Sequence, residues 1–215
     1  MSCETVSGMH IYLKRREIFY ACMKYKGIIL SGTPGAGKSV LARELIAAYG
    51  WKRLSLGDYW KEQWKQSGET DFAAFWRKTS REENQRINRE ARSVLEQGNI
   101  ICDSRYTAAY CQDLPLLLVY LDAPALIRAQ RLMRNEVYLS KSVEDIACIL
   151  KEREQDEMAR GREFFGESFD YSDVEWYDLI LNNGIYPIDK ELKLIRENLA
   201  HEPLLPRQRH NVPLF

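Results

Sequence analysis

The residues "SGTPGAGKSV", Ser31 to Val40, decide how the rest of the chain is read. Within them Gly32 to Ser39 spell G-x-x-x-x-G-K-S, the spacing of a loop that closes around the phosphates of a nucleotide. Gly32, Gly35 and Gly37 let backbone N–H groups converge on phosphate oxygens, because no Cβ blocks the turn. Lys38 reaches the β and γ phosphates, and the Ser39 hydroxyl suits Mg²⁺. The flanking residues supply the context the loop needs. An apolar run, "GIIL" (Gly27 to Leu30), precedes it as a strand, and "SVLARELIAAYG" follows as a helix whose positive end faces the anion. Leu41, Leu45 and Ala48 share one face of that helix, and Gly50 is placed to end it. The expected ATP-binding residues are therefore Gly32, Thr33, Pro34, Gly35, Ala36, Gly37, Lys38, Ser39 and Val40. The loop names a ligand and not a job, since kinases, GTPases, motors and transporters all carry one.

Working outward, four more apolar runs alternate with helical patterns: "KRLSL", "NIICD", "LLLVYL" and "YDLILN". The pattern predicts an α/β fold with a five-stranded parallel sheet, and the last three runs read as strands buried on both faces. Residues 57–98 differ in character. Their first half is aromatic (Tyr59, Trp60, Trp64, Phe72, Phe75, Trp76), which fits either the packing of a helical insert or stacking on a substrate base. Their second half opens with Ser80-x-x-Glu83, a capping-box pattern, and continues with Ile87, Ala91, Val94 and Leu95 on one helical face. From 128 to 162 the chain is arginine-rich, in two helical patterns joined near residues 135–141.

Composition removes whole classes of function. Lys plus Arg and Asp plus Glu both number 31, so global charge makes no case for nucleic acid or an acidic membrane surface. No apolar run approaches the roughly 18 residues that span a bilayer. Five cysteines, odd in number and with no C-x-x-C pair, fit reduced thiols in a cytoplasmic protein, and Cys102 reads as a buried structural thiol. The 215 residues fit one α/β domain, expected over 23–200, with an N-terminal extension (1–22) and a flexible tail (201–215). A monomer acting on small nucleotides is expected.

Several side chains carry the chemistry. Asp103 ends the third apolar run, where strand ends face the ligand, so it reads as a Mg²⁺-holding carboxylate or as an acid capping a turn. Arg128, Arg131 and Arg134 recur every three residues along one helix. Arg153, Glu157 and Arg160 share a helical face, either as charge around a migrating phosphoryl group or as a solvated helix pair. There is no D-x-x-G and no N-K-x-D, which disfavours a GTP switch. All three histidines (His10, His201, His210) lie near the termini, so no candidate base stands near the loop.

With these residues in place, the chain resembles the cytidylate kinases, closest to their short archaeal-type branch. The resemblance runs over about 26–183 and rests on "GIILSGTPGAGKSVLARELIAAYG", "LSLGDYWKE", "INREARSVLEQGNIICDSRY", "VYLDAPALIRAQRLMR", "EREQDEMARGREFFG" and "YDLILNN". It implies a P-loop NTPase three-layer fold with a helical monophosphate-binding insert (57–98) and an arginine-rich lid (128–162). It also implies transfer from ATP, with Mg²⁺, to CMP or dCMP. By motif match Asp58, Lys61, Arg105, Arg153, Glu157 and Arg160 would bind the monophosphate, and Lys38, Arg128, Arg131 and Arg153 would act on the transferred group. Ser39 and Asp103 would hold the metal. The chain departs from the family pattern at Lys61, where arginine is usual, at Ser104, where glycine is common, and at Gly161, where tyrosine is typical. A lysine keeps the charge but loses the bidentate fork. Other acceptors (AMP, UMP or a non-nucleotide), or a nucleotide-binding regulator without turnover, are the competing readings.

Overall fold

The computed structural model describes residues 24–201 and 203, so residues 1–22 and most of the expected tail, with His10 and His210, lie outside the described residues. Five strands, β1 (Gly27–Gly32), β2 (Lys52–Ser55), β3 (Ile100–Asp103), β4 (Leu116–Asp122) and β5 (Leu179–Asn182), form one sheet in the order β2-β3-β1-β4-β5. Every neighbouring pair is parallel. The helices are α1 (Lys38–Tyr49), α2 (Leu56–Ser67), α3 (Phe72–Lys78), α4 (Arg81–Glu96), α5 (Thr107–Tyr110), α6 (Ala125–Leu132), α7 (Val143–Phe165) and α8 (Ile188–Leu199).

Strand alternation builds two cores from one run of apolar residues. Ile28, Leu30, Ile101, Leu117, Val119 and Leu121 point to the face covered by α1 and α8, where they meet Leu41, Leu45, Ile195 and Leu199. Ile29, Ile100, Cys102, Leu116, Leu118 and Tyr120 point to the other face, against Ile87, Ala91, Leu95, Phe164 and Phe169. This is the expected three-layer arrangement, and it explains why β1, β3 and the body of β4 contain almost no polar side chain.

Four local expectations change. β5 is an edge strand: Leu181 is buried but Ile180 is exposed, because only β4 pairs with it. Ala48 faces solvent, and the buried stripe of α1 is Leu41, Ala42, Leu45 and Tyr49. Gly50 does end that helix, in the left-handed conformation. Arg134 falls beyond the end of α6, so the three-residue arginine repeat does not stay on one helix. At Ser80 the hydroxyl accepts the Glu83 N–H at 3.0 Å, while the reciprocal capping box forms at Ser142 and Asp145, ahead of α7.

The aromatic insert packs on itself and on the core. Trp60 makes edge contacts with Tyr59 and Trp76, both at 5.1 Å between centroids, and Trp64 meets Phe72 at 5.6 Å. Cys102 is fully buried and burial pushes its thiol well up, as suits a structural cysteine.

Candidate active site

The glycine loop joins β1 to α1 and is shaped by contacts that only glycine permits. Gly32 has φ +135°, and a Cβ there would stand 2.0 Å from the Leu121 carbonyl oxygen on β4. Thr33 N–H donates to that carbonyl at 3.3 Å, and the Thr33 hydroxyl donates to Asp122 at 3.2 Å. Lys38 folds back over the loop and donates to the carbonyls of Gly32 and Thr33, both at 2.9 Å. Burial, with Arg105 adding to it, pulls the Lys38 ammonium down to about 7, and the acids Asp103 and Glu157 act the other way.

Ser39 and Asp103 meet as their positions required. The Ser39 hydroxyl, in the first turn of α1, donates to Asp103 Oδ2 at the end of β3 at 2.8 Å. A hydroxyl and a carboxylate are hard oxygen donors of the kind Mg²⁺ takes when phosphates fill its remaining positions. No group of three or more His, Cys, Asp or Glu side chains among the described residues forms a fuller metal cage.

On the α7 side, Glu157 gathers two cations. Its side chain is 8% exposed, with Oε1 accepting from Arg153 Nε at 2.9 Å and Oε2 standing 2.8 Å from Arg105 Nε. Burial opposes the charge on Arg105, but Glu157 outweighs it and holds the guanidinium above its usual range. The Tyr106 hydroxyl donates to the Glu157 carbonyl at 2.6 Å and pins this turn of α7 to the sheet. Asp103, Arg105, Arg153 and Glu157 all act electrostatically on Lys38, so these five side chains form one charged centre.

The remaining expected residues are placed differently. Arg160 turns toward the junction of α3 and α4, bonding the Thr79 carbonyl and Glu163, with its guanidinium 4.5 Å from the Phe164 ring centroid. Arg128 is buried. It donates to the carbonyls of Ala123 (2.8 Å) and Pro34 (2.9 Å) and pairs with Glu154, so it tethers the glycine loop to α7. Arg131 is exposed and donates to the Asn183 carbonyl at 2.8 Å. Lys61 is 64% exposed, its ammonium 3.6 Å from Asp58.

Arg53 was not legible as a site residue. It donates to Asp58 at 2.7 Å and lies 3.5 Å from Asp103, bridging the acids of β3 and α2. Burial opposes ionisation of Asp58, but Arg53 outweighs it and holds the carboxyl below its usual range. A cleft of about 370 Å³, a size small-molecule sites use, opens beside the loop between Thr33, Asp122, Arg128, Glu154 and Tyr171.

A glycine loop on a parallel sheet, backed by a metal-competent Ser–Asp pair and an arginine ledge, defines the class of P-loop phosphotransferases. A family profile described as an AAA domain matches residues 31–147. The chain is 29% identical to the cytidylate kinase of Methanopyrus kandleri, over 84% of this chain and 95% of the relative. It is 32% identical to that of Haloquadratum walsbyi, over 82% and 91% respectively. Among solved structures it superposes on a shikimate kinase from Bacteroides thetaiotaomicron with a TM-score of 0.53 at 16% identity, covering 81% of this chain and 98% of that one. That likeness shows the shared kinase fold. The chain belongs to the cytidylate kinase family.

Proposed function

We propose that this chain transfers the γ-phosphoryl group of ATP to a cytidine monophosphate, CMP or dCMP. The observation that carries the reading is the single charged centre around Lys38. Donor-loop lysine, Ser39–Asp103 pair and Arg105–Glu157–Arg153 ledge act on one another, so two phosphate groups meet where positive charge converges. The relatives named cytidylate kinase support the acceptor assignment.

The chemistry asks little of the protein beyond position and charge. The acceptor is a phosphate oxyanion at neutral pH and needs no strong base. His201, the histidine among the described residues, sits at the far end of α8. Loop N–H groups and Lys38 hold the β and γ phosphates. Lys38 exchanges its two carbonyl partners for phosphate oxygens, and that anionic company restores its charge. Arg105 and Arg153 take the acceptor phosphate, with Glu157 setting the spacing of the two guanidiniums. Ser39 and Asp103 would hold Mg²⁺, which would supply positive charge against the phosphates. Residues 57–98 form the monophosphate-binding insert, with Asp58 and Lys61 at its mouth. Residues 128–162 form the lid, whose closure brings Arg131 and Arg160 inward and excludes water. The protein works as a cytoplasmic monomer.

A second acceptor class is favoured by one observation. Lys61 offers a lone ammonium and Arg53 is already paired to two acids, so the mouth of the acceptor site lacks a free bidentate fork. The phosphate is common to every nucleoside monophosphate, so a looser grip on it leaves the choice of acceptor to the base and keeps UMP and AMP as the second reading. Thermal shift with every monophosphate at one shared concentration, about a hundred times the Kd of the tightest binder, separates the readings. Such a ligand stabilises by about 2.7 kcal/mol, or about 5–10 °C for a protein of this size. A shift with CMP or dCMP alone supports the cytidylate assignment, and equal shifts with all four monophosphates refute it.

A further inference from the structure

Glu191 is a carboxyl that the phosphoryl transfer does not use, and it is fully buried in the first turn of α8. Its Oε2 accepts the Asn183 Nδ2–H at 3.2 Å, while Oε1 has no hydrogen-bond partner among the described residues. A buried carboxyl with one unsatisfied oxygen is tolerated far better as the neutral acid than as the anion.

Asn183 is a junction. Its N–H donates to the Asp122 carbonyl at 2.8 Å, and its own carbonyl accepts from Arg131 at 2.8 Å. Its side chain lies directly on the glycine loop: a Cβ on Gly37 would come within 3.0 Å of Asn183 Nδ2. Gly37, at φ +95°, caps α1, and its carbonyl accepts from the N–H groups of Val40 and Leu41. One side chain therefore separates the Glu191 carboxyl from the first turn of the phosphate-binding helix.

The charged surroundings of Glu191 are sparse. Arg131, from α6, is the charged neighbour that acts on it. β5 carries no charged side chain. On α1, Lys38 reaches toward Gly32 and Thr33, while Arg43 and Glu44 face solvent. Asp189 and Lys190, on α8 itself, are exposed. Burial pushes the carboxyl up to about 7, and Arg131 pulls it partly back.

We propose that Glu191 is a positioning residue for the phosphate loop: it fixes Asn183 against Gly37, and when it loses its proton the negative charge behind the loop weakens binding of the anionic donor. The inference rests on ATP as the ligand of this loop.

The test is the Kd of ATP, by titration calorimetry without acceptor, from pH 5.5 to 8.5 for the wild type, Glu191→Gln and Asn183→Ala. Lys38 and the ATP phosphates titrate in the same range in the wild type and in Glu191→Gln, so the ratio of their Kd values removes both. That ratio is expected near one at pH 5.5 and about three- to tenfold, wild type weaker, by pH 8.5, with its midpoint near 7. A ratio that does not change with pH overturns the inference, whatever its size, because packing alone has no pH dependence. Asn183→Ala removes the anchor without a charge and is expected to weaken ATP at every pH; unchanged affinity overturns the positioning role. ATP binding that follows this pattern without transfer to any monophosphate would overturn the acceptor assignment and leave the Glu191 inference standing. No ATP binding at any pH would overturn both.

Discussion

Replacing Gly161 with alanine should destabilise the protein although it removes a glycine from the interior of a helix. Gly161 is buried within α7, one residue after Arg160. A Cβ there would stand 2.5 Å from Phe169 Cε1 and 2.7 Å from Cδ1. Carbon atoms in contact prefer about 3.5–4.0 Å, so the ring must retreat by about 1 Å. It has nowhere to go: Phe169 is 1% exposed, stacked on Phe165 at 4.4 Å and edge-on to Trp176 at 5.3 Å and Tyr106 at 5.8 Å. Overpacking of this kind costs about 1–3 kcal/mol, and alanine returns at most about 1 kcal/mol of helix propensity. The expected net loss is about 1–2 kcal/mol, or about 2–8 °C in Tm for a protein of this size. Urea denaturation of wild type, Gly161→Ala, Phe169→Leu and the double variant measures it. The smaller ring-free side chain makes room, so the double variant should be more stable than additivity predicts by at least about 0.5 kcal/mol. A Gly161→Ala protein as stable as wild type, or an additive cycle, would refute the steric reasoning. The same contact leaves no room at 161 for any larger side chain while Phe169 keeps its place.

Arg128→Ala unties Pro34 and strands Glu154, so it should lower stability by about 1–3 kcal/mol and weaken ATP, as chemical denaturation and calorimetry will report. Lys38 sets a pH dependence with a defined sign. Its folded-state ammonium gives up its proton near 7 and an unfolded lysine near 10.5, so between those values the unfolded chain holds more protons and nucleotide-free stability rises with pH. The Tm difference between Lys38→Met and wild type should therefore favour the variant most below pH 7 and shift toward wild type as pH approaches 10; a constant difference contradicts it. Lys61→Arg restores a fork at the mouth of the acceptor site and should lower KM for the monophosphate severalfold while leaving KM for ATP unchanged.

The fold was legible where one physical demand dominates the sequence. The loop's glycines, the flanking strand and helix, and the doubly buried β3 and β4 all announce themselves. β5 was legible as a strand but not as an edge strand, because "LILN" reads the same whether one neighbour or two will pair with it. Ser39 and Asp103 followed from their places at a loop and a strand end. Arg128 was legible as an arginine near the donor, but its burial depends on Pro34 and Glu154, which are far away in sequence. Arg53 and Glu191 gave no signal. An arginine near a strand end and a glutamate in the first turn of an amphipathic helix are ordinary solvent-facing choices. Their importance comes from Asp58, Asp103 and Asn183, which only the folded chain brings to them.

Phosphoryl transfer itself decides whether this chain phosphorylates cytidylates. Purified protein is incubated with ATP, Mg²⁺ and, separately, CMP, dCMP, UMP or AMP, and the nucleotide products are resolved by anion exchange. Conversion of CMP or dCMP to its diphosphate, with one ADP formed for each and a loss of at least about a hundredfold in Lys38→Ala, is the predicted result. ATP binding with no diphosphate from any acceptor, or equal turnover of all four, contradicts it.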